Sequence, residues 1–272
     1  MTEHAAGRRS LPMSVLGVTA ELLITAGVGV LLFFVWYAFL NPAVVGANQA
    51  SSAAKQSRLF SEQLQNRPPV SVTPSPTATD PAGDGGASPG TGTDASRPAP
   101  ATIPVMAEPK QMAAPVAVIY VPRFGADWKR IIRESTDTVQ VLNSSTAGVG
   151  HYVGTAMPGG LGNFAIAAHD TGYGNTFLGV KTLKLGDKIY VQTADGWYTY
   201  EFRNFQFVQP DAINVLDAVP AVSTTTTSDR FITMTTCDPP FHGLERTIAY
   251  GTFVGFSTAA PTELASVLSG GS

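Results

Sequence analysis

The sequence predicts a mainly β domain, an antiparallel barrel or sandwich, carried behind one membrane-spanning helix and an unstructured linker. Three observations predict it. The run Leu22 to Leu40 is apolar and carries no charge. The stretch from Arg67 to about Pro115 is rich in Pro, Gly, Ser and Thr and almost free of large apolar side chains. Beyond Val116 the apolar segments are short, β-branched or aromatic, and bounded by turn residues, which is the pattern of strands rather than helices.

In chain order, residues 1–13 form a short polar stub containing Arg8 and Arg9. Residues 14–40 form the anchor, because about twenty apolar residues cross the hydrocarbon core as a helix. Trp36 and Tyr37 near its far end suit the membrane interface. A cleaved signal peptide has a shorter apolar core and a small-residue cleavage site, whereas here bulky residues lead into Asn41-Pro42. The two arginines place the N-terminus in the cytoplasm and the remainder outside the cell membrane, a single-pass arrangement.

Residues 41–115 are expected to be a linker, with a short helix over Ala43–Gln65. Its Pro/Gly-rich part cannot bury enough surface to offset its ordering entropy. It is expected to act as a semi-extended spacer that lets the domain reach away from the bilayer. Residues 116–257 form the folded domain, with strands expected at Val116–Val121, Phe164–His169, Lys188–Thr193, Trp197–Gln209, Phe231–Thr236 and Arg246–Phe256. Asp195-Gly196 is a hairpin signal between two of them. Residues 258–272 read as a weakly ordered tail.

The net charge of -3 gives no electrostatic case for nucleic-acid binding. Cys237 is the one cysteine of the chain, so neither an intramolecular disulfide nor a Cys-based zinc site can form. No EF-hand loop or carboxylate cluster argues for calcium, and no cofactor or metal is expected. A lone cysteine is often a small buried hydrophobe. An unpaired thiol outside the cell is also exposed to oxidation.

Cys237 ends the strand segment Thr233-Met234-Thr235-Thr236, Arg246 opens the next strand, and His169 closes the apolar strand Phe164–Ala168. Strand ends hold catalytic groups rigidly beside open loops. A thiolate attacks carbonyl carbon, an imidazole can carry the proton, and a guanidinium can stabilise the oxyanion or orient the substrate. Asp238 beside Cys237 sets a negative charge next to the thiol in sequence.

These segments resemble the sortases. Thr233-Met234-Thr235-Thr236-Cys237 matches the family's T-L-x-T-C strand with Met for Leu, and Arg246 lies at the expected distance. Gly150-His151-Tyr152, the turn Pro158-Gly159-Gly160-Leu161-Gly162-Asn163, and Ala168-His169 follow the family's upstream pattern, with Ala for the usual Gly. The stretch His169-Asp170-Thr171-Gly172-Tyr173-Gly174 looks most like class E sortases of actinobacteria, although their usual Arg after the His is Asp170 here.

The resemblance implies an eight-stranded β-barrel and a Gram-positive cysteine transpeptidase with Cys237 as nucleophile, His169 as acid/base and Arg246 as third catalytic group. It implies cleavage of an LPxTG or LAxTG sorting signal between Thr and Gly through a thioacyl intermediate. The partners implied are secreted proteins bearing a C-terminal sorting signal and a lipid-linked peptidoglycan precursor amine. A pilus-type sortase, an L,D-transpeptidase and a non-catalytic surface module are the alternatives. The Ser-x-Gly expected before the Cys of an L,D-transpeptidase is absent. Tyr173 is a candidate peptide contact or a packed loop aromatic. Thr236 is a candidate substrate contact or a packing residue. His151 is expected to be structural or to line the substrate groove, and His242 to be exposed.

Overall fold

The structure, a computed structural model, describes residues 15–67, 103–222, 226–240 and 242–269. The expected stub and the centre of the expected linker lie outside the described residues.

Eight strands close a barrel: β1 (Pro115–Tyr120), β2 (Lys129–Glu134), β3 (Val149–His151), β4 (Gly162–Ala168), β5 (Lys188–Thr193), β6 (Gly196–Val208), β7 (Arg230–Asp238) and β8 (Glu245–Ser257). Their order around the barrel is β1-β2-β3-β4-β7-β8-β6-β5. Most pairs are antiparallel, and the hairpin expected at Asp195-Gly196 joins β5 to β6. Two pairs, β2–β3 and β4–β7, are parallel. Parallel neighbours need long crossover connections, and no local sequence signal announces them.

The barrel interior is filled by Ile119, Ile132, Phe164, Ile166, Tyr200, Ile232 and Met234, all buried. Each such side chain contributes roughly 1.5–3 kcal/mol by leaving water. Met234, the departure from the T-L-x-T-C pattern, is fully buried in this core. A thioether side chain fills the site of a leucine with little change in volume.

A second apolar cluster lies on the outside of the barrel. Val118, Tyr120, Ile131, Tyr190 and Trp197 are joined there by Ala53, Phe60, Leu264 and Val267. β1 is therefore buried on both faces along nearly its whole length, which explains its continuous apolar run.

The second N-terminal helix and the C-terminal segment around Leu264 and Val267 supply the cover. The chain runs from α1 (Val15–Val35) through a π-helical turn at Trp36–Leu40 into α2 (Asn41–Gln65). α1 has the length and composition to cross a membrane, and none of its apolar window is buried in the protein. α2 turns a different surface inward: Pro42, Gln49, Ala53, Ser57 and Phe60 are its buried residues, at spacings that place them along one helix face. It packs against β2 and also meets β1, β5 and β6. Tyr120 OH donates to Ser57 Oγ at 2.7 Å, and Gln192 Nε2 donates to Ser57 O at 3.1 Å.

Two expectations are corrected here. The tail beyond Ser257 is not uniformly loose, because α3 (Ala265–Ser269) and the 3-10 turn before it bury Val267 and Leu264 against the outer cluster. Nor does the linker simply separate anchor from domain. Arg67, just past α2, pairs with Asp195 on the barrel. On the far side of residues 68–102, Ile103 and Met106 pack on the inner core. Tyr198 OH also donates to Pro104 O at 3.0 Å. Both ends of the Pro/Gly-rich segment thus rest on the same barrel.

Candidate active site

Strand register pairs two of the three expected catalytic residues and carries the chain toward the third. On β4 and β7, which run parallel, Ala167 stands opposite Thr235. The next link is the Thr236 hydroxyl, which donates to Ala168 O at 2.8 Å. His169 directly follows β4, and Cys237 follows Thr236 on β7. On the other side of β7, Cys237 pairs directly with Arg246 on β8. Adjacent strands lie about 4.8 Å apart, and directly opposite residues share a face. All three side chains are partly exposed.

Arg246 is held beside Cys237. Its Nη1 donates to Gly243 O at 2.9 Å and to Glu245 O at 3.0 Å. Gly243 adopts φ +60, and a Cβ placed on it would lie 3.5 Å from Cys237 Sγ and 3.6 Å from Arg246 Nη1. The sulfur and the guanidinium therefore flank the same small space, kept open by the missing side chain. Gly243 carried no signal in the sequence reading.

His169 is fixed from three sides. Its Nε2–H donates to Asn143 Oδ1 at 2.9 Å. An amide oxygen can only accept, so this bond places the proton on Nε2 and leaves Nδ1 as the basic nitrogen. The Tyr173 ring lies 5.2 Å away, tilted by 32°. Behind the ring, Phe177 N donates to His169 O at 2.8 Å and closes the loop. Burial holds the imidazole pKa below its ordinary value, and the nearby Asp170 charge partly opposes this. Asn143 was missed because a lone Asn in a loop has no motif; its relevance comes only from the fold.

Asp238 does not face the sulfur. Successive strand residues point to opposite sides, and Asp238 turns to Lys181 and accepts from Thr247 Oγ1 at 3.2 Å. Its charge is thus paired away from Cys237.

The three expected substrate contacts separate. Tyr173 is exposed beside the His169 ring, where a bound peptide can reach it. Thr236 is 4% exposed and its hydroxyl is committed to Ala168 O, so that hydroxyl is a clamp between β4 and β7 and is not offered to substrate. His151 is fully buried. Its Nδ1 lies 3.0 Å from Glu134 Oε2, its Nε2 lies 2.9 Å from Thr155 Oγ1, and its ring stacks on Phe164. It lines no groove, because every face and both nitrogens are occupied by protein. His242 is exposed, as expected.

The Sortase domain family model matches residues 119–254. The chain is 35% identical over 144 residues to Sortase SrtE1 of Streptomyces coelicolor, covering 51% of this chain and 40% of that protein. It thus spans less than half the length of this curated relative. Among solved structures, the SrtA sortase from Actinomyces oris is 31% identical with a TM-score of 0.55, over 60% of this chain and 93% of the other. The crystal structure of Sortase E1 from Streptomyces coelicolor with a tripeptide in the active site is 32% identical with a TM-score of 0.50, over 56% of this chain and 96% of the other. By the matched model, the closed barrel and this likeness, the chain belongs to the sortase family.

Proposed function

We propose that the chain is a cysteine transpeptidase that joins secreted proteins to a cell-wall amine, working from the outer face of the membrane. Residues 14–40 serve as the anchor and 116–257 as the catalytic domain, with the N-terminus in the cytoplasm. One observation supports the reading above the others: Cys237 pairs with Arg246 across β7 and β8, and the β4–β7 register runs to Ala167 opposite Thr235, two residues short of His169 and Cys237.

The Cys237 thiol gives its proton to His169, and the sulfur forms a bond to the Thr carbonyl carbon of an LPxTG or LAxTG signal. The carbonyl electron pair moves to oxygen, where the Arg246 guanidinium stabilises the charge. Collapse re-forms the carbonyl and breaks the Thr–Gly bond, and the Gly nitrogen leaves with the proton from His169. A thioester remains. The incoming amine attacks it and loses a proton by way of His169. The C–S bond then breaks, the sulfur recovers a proton, and a new amide has replaced the old one. An acceptor amine on a lipid-linked peptidoglycan precursor suits an enzyme tethered by an apolar helix.

Mass spectrometry after incubation with LAxTG and LPxTG peptides tests this. The expected product is a peptide thioester on Cys237, lost in Cys237→Ala while the fold is retained, because only the sulfur is removed. A peptide adduct elsewhere, or cleavage persisting in Cys237→Ala, would overturn the reading.

A further inference from the structure

Helix α2 enters the candidate site through a single side chain. Gln49 is fully buried. Its Nε2 donates to Ser144 O at 2.9 Å and to Tyr173 O at 3.0 Å, while its Oε1 accepts from Thr176 Oγ1 at 3.1 Å. Both amide protons and the amide oxygen are therefore used. The socket is tight: a Cβ added at Gly148 or Gly174 would lie 2.5 Å from the Gln49 amide group.

The groups that Gln49 grips belong to the two loops that hold His169. Ser144 follows Asn143, the acceptor for His169 Nε2–H. Tyr173 carries the ring packed on the imidazole. The Tyr173 loop also needs restraint, because four successive residues are left-handed: Gly172 (φ +72), Tyr173 (φ +42), Gly174 (φ +90) and Asn175 (φ +48). A non-glycine residue in that region costs roughly 1–2 kcal/mol and persists only where its surroundings hold it. The Gln49 bond to Tyr173 O supplies one such hold.

We propose that Gln49 is a positioning residue for His169, fixing both neighbours of the imidazole from the helix that continues out of the membrane anchor. The proposal rests on the reading of His169 as the acid/base group. Gln49 lies about two turns beyond Asn41, so the imidazole is set relative to the helix that follows the apolar anchor after the π-helical turn. A glutamine beside Ala53 and Ser57 is an expensive way to fill space, since its amide must be satisfied on burial. Here it is satisfied by these two loops.

The test uses the full chain in lipid nanodiscs, with peptide turnover, thermal stability and NMR titration of the His169 ring as readouts. Gln49→Leu keeps the volume and removes all three bonds. It is expected to lower kcat about tenfold to a hundredfold with little change in KM, and to shift the His169 titration midpoint. Ser57→Ala, which loosens the same helix where it meets Tyr120, is expected to lower stability while kcat and titration stay as in the wild type. Wild-type kcat and titration in Gln49→Leu would overturn the proposal. Where Gln49→Leu does not fold, Thr176→Val strips one of the three bonds; a smaller change of the same kind supports the proposal, and no change overturns it. His169→Ala in the same assay separates the two ideas. If it turns over normally, the catalytic reading has failed, while the ring titration of Gln49→Leu still reports whether Gln49 holds the imidazole.

Discussion

At the scale of the residue, the environment of His169 has a consequence for pH. Burial disfavours its imidazolium, so its folded-state pKa lies below the ordinary value of about 6.5. As pH falls, the unfolded chain takes up this proton first, near the ordinary value, and the folded chain only later. The stability present above that value is therefore lost over the window between the two. An NMR titration is expected to place the His169 midpoint below that of a model peptide. A midpoint at or above it would contradict the burial argument. Arg246 is equally specific. Its Nη1 alone donates to two backbone carbonyls beside the space it shares with the sulfur at Gly243, and a lysine ammonium in that place has no further planar N–H groups to offer an oxyanion. Arg246→Lys is expected to reduce kcat about a hundredfold, the loss typical of a missing oxyanion donor. Steady-state kinetics with the sorting peptide decide this, and near-normal turnover would remove Arg246 from the proposed machinery.

At the scale of the element, the parallel pair β2–β3 sets Glu134 opposite His151, and both side chains are almost wholly buried. Removing one member leaves the other's polar atoms without a partner in the interior. His151→Ala is thus expected to lower stability by about 3 kcal/mol. The His169 titration should remain that of the wild type, because His151 touches no catalytic candidate. Unfolding of the variant measured beside the wild type checks the first part, and NMR of the His169 ring checks the second. The element scale also shows where the sequence was readable. β-branched and aromatic runs such as Phe231–Thr236 announced their strands by composition, and Asp195-Gly196 announced its hairpin by turn chemistry. The set of His169, Cys237 and Arg246 could be named from the family resemblance, but spacing along the chain carries no register. Only the parallel pairing of β4 with β7 shows that the strand ends preceding His169 and Cys237 run side by side. For His151 and Thr236 the sequence left a structural role and a substrate role side by side, for a related reason. A G-H-Y or T-T-C string does not state which way a hydroxyl turns or which ring is sealed by a carboxylate on a neighbouring strand.

At the scale of the whole molecule, the seating of α2 escaped sequence reading because its buried face is not apolar. Gln49, Ala53 and Ser57 carry no hydrophobic stripe. Their fit comes from hydrogen bonds to Tyr120, Gln192, Thr176 and two loop carbonyls. Phe60, the one large apolar residue of that face, completes the cluster with Trp197, Leu264 and Val267. The covalent route from α2 to the barrel runs only through the Pro/Gly-rich segment, yet both ends of that segment already rest on the barrel. A protease site engineered within residues 68–102 should therefore be cut without freeing the barrel from the membrane. The catalytic domain is expected to sediment with the membranes after cleavage and to keep its peptide turnover. Phe60→Ala removes the apolar part of the seat, a loss of about 3–4 kcal/mol for a buried phenylalanine, and is expected to release a large fraction of the cleaved domain into the supernatant. Full release of the wild-type domain on cleavage would mean that the polar face of α2 does not hold the barrel, and the chain would then work as a domain on a free tether.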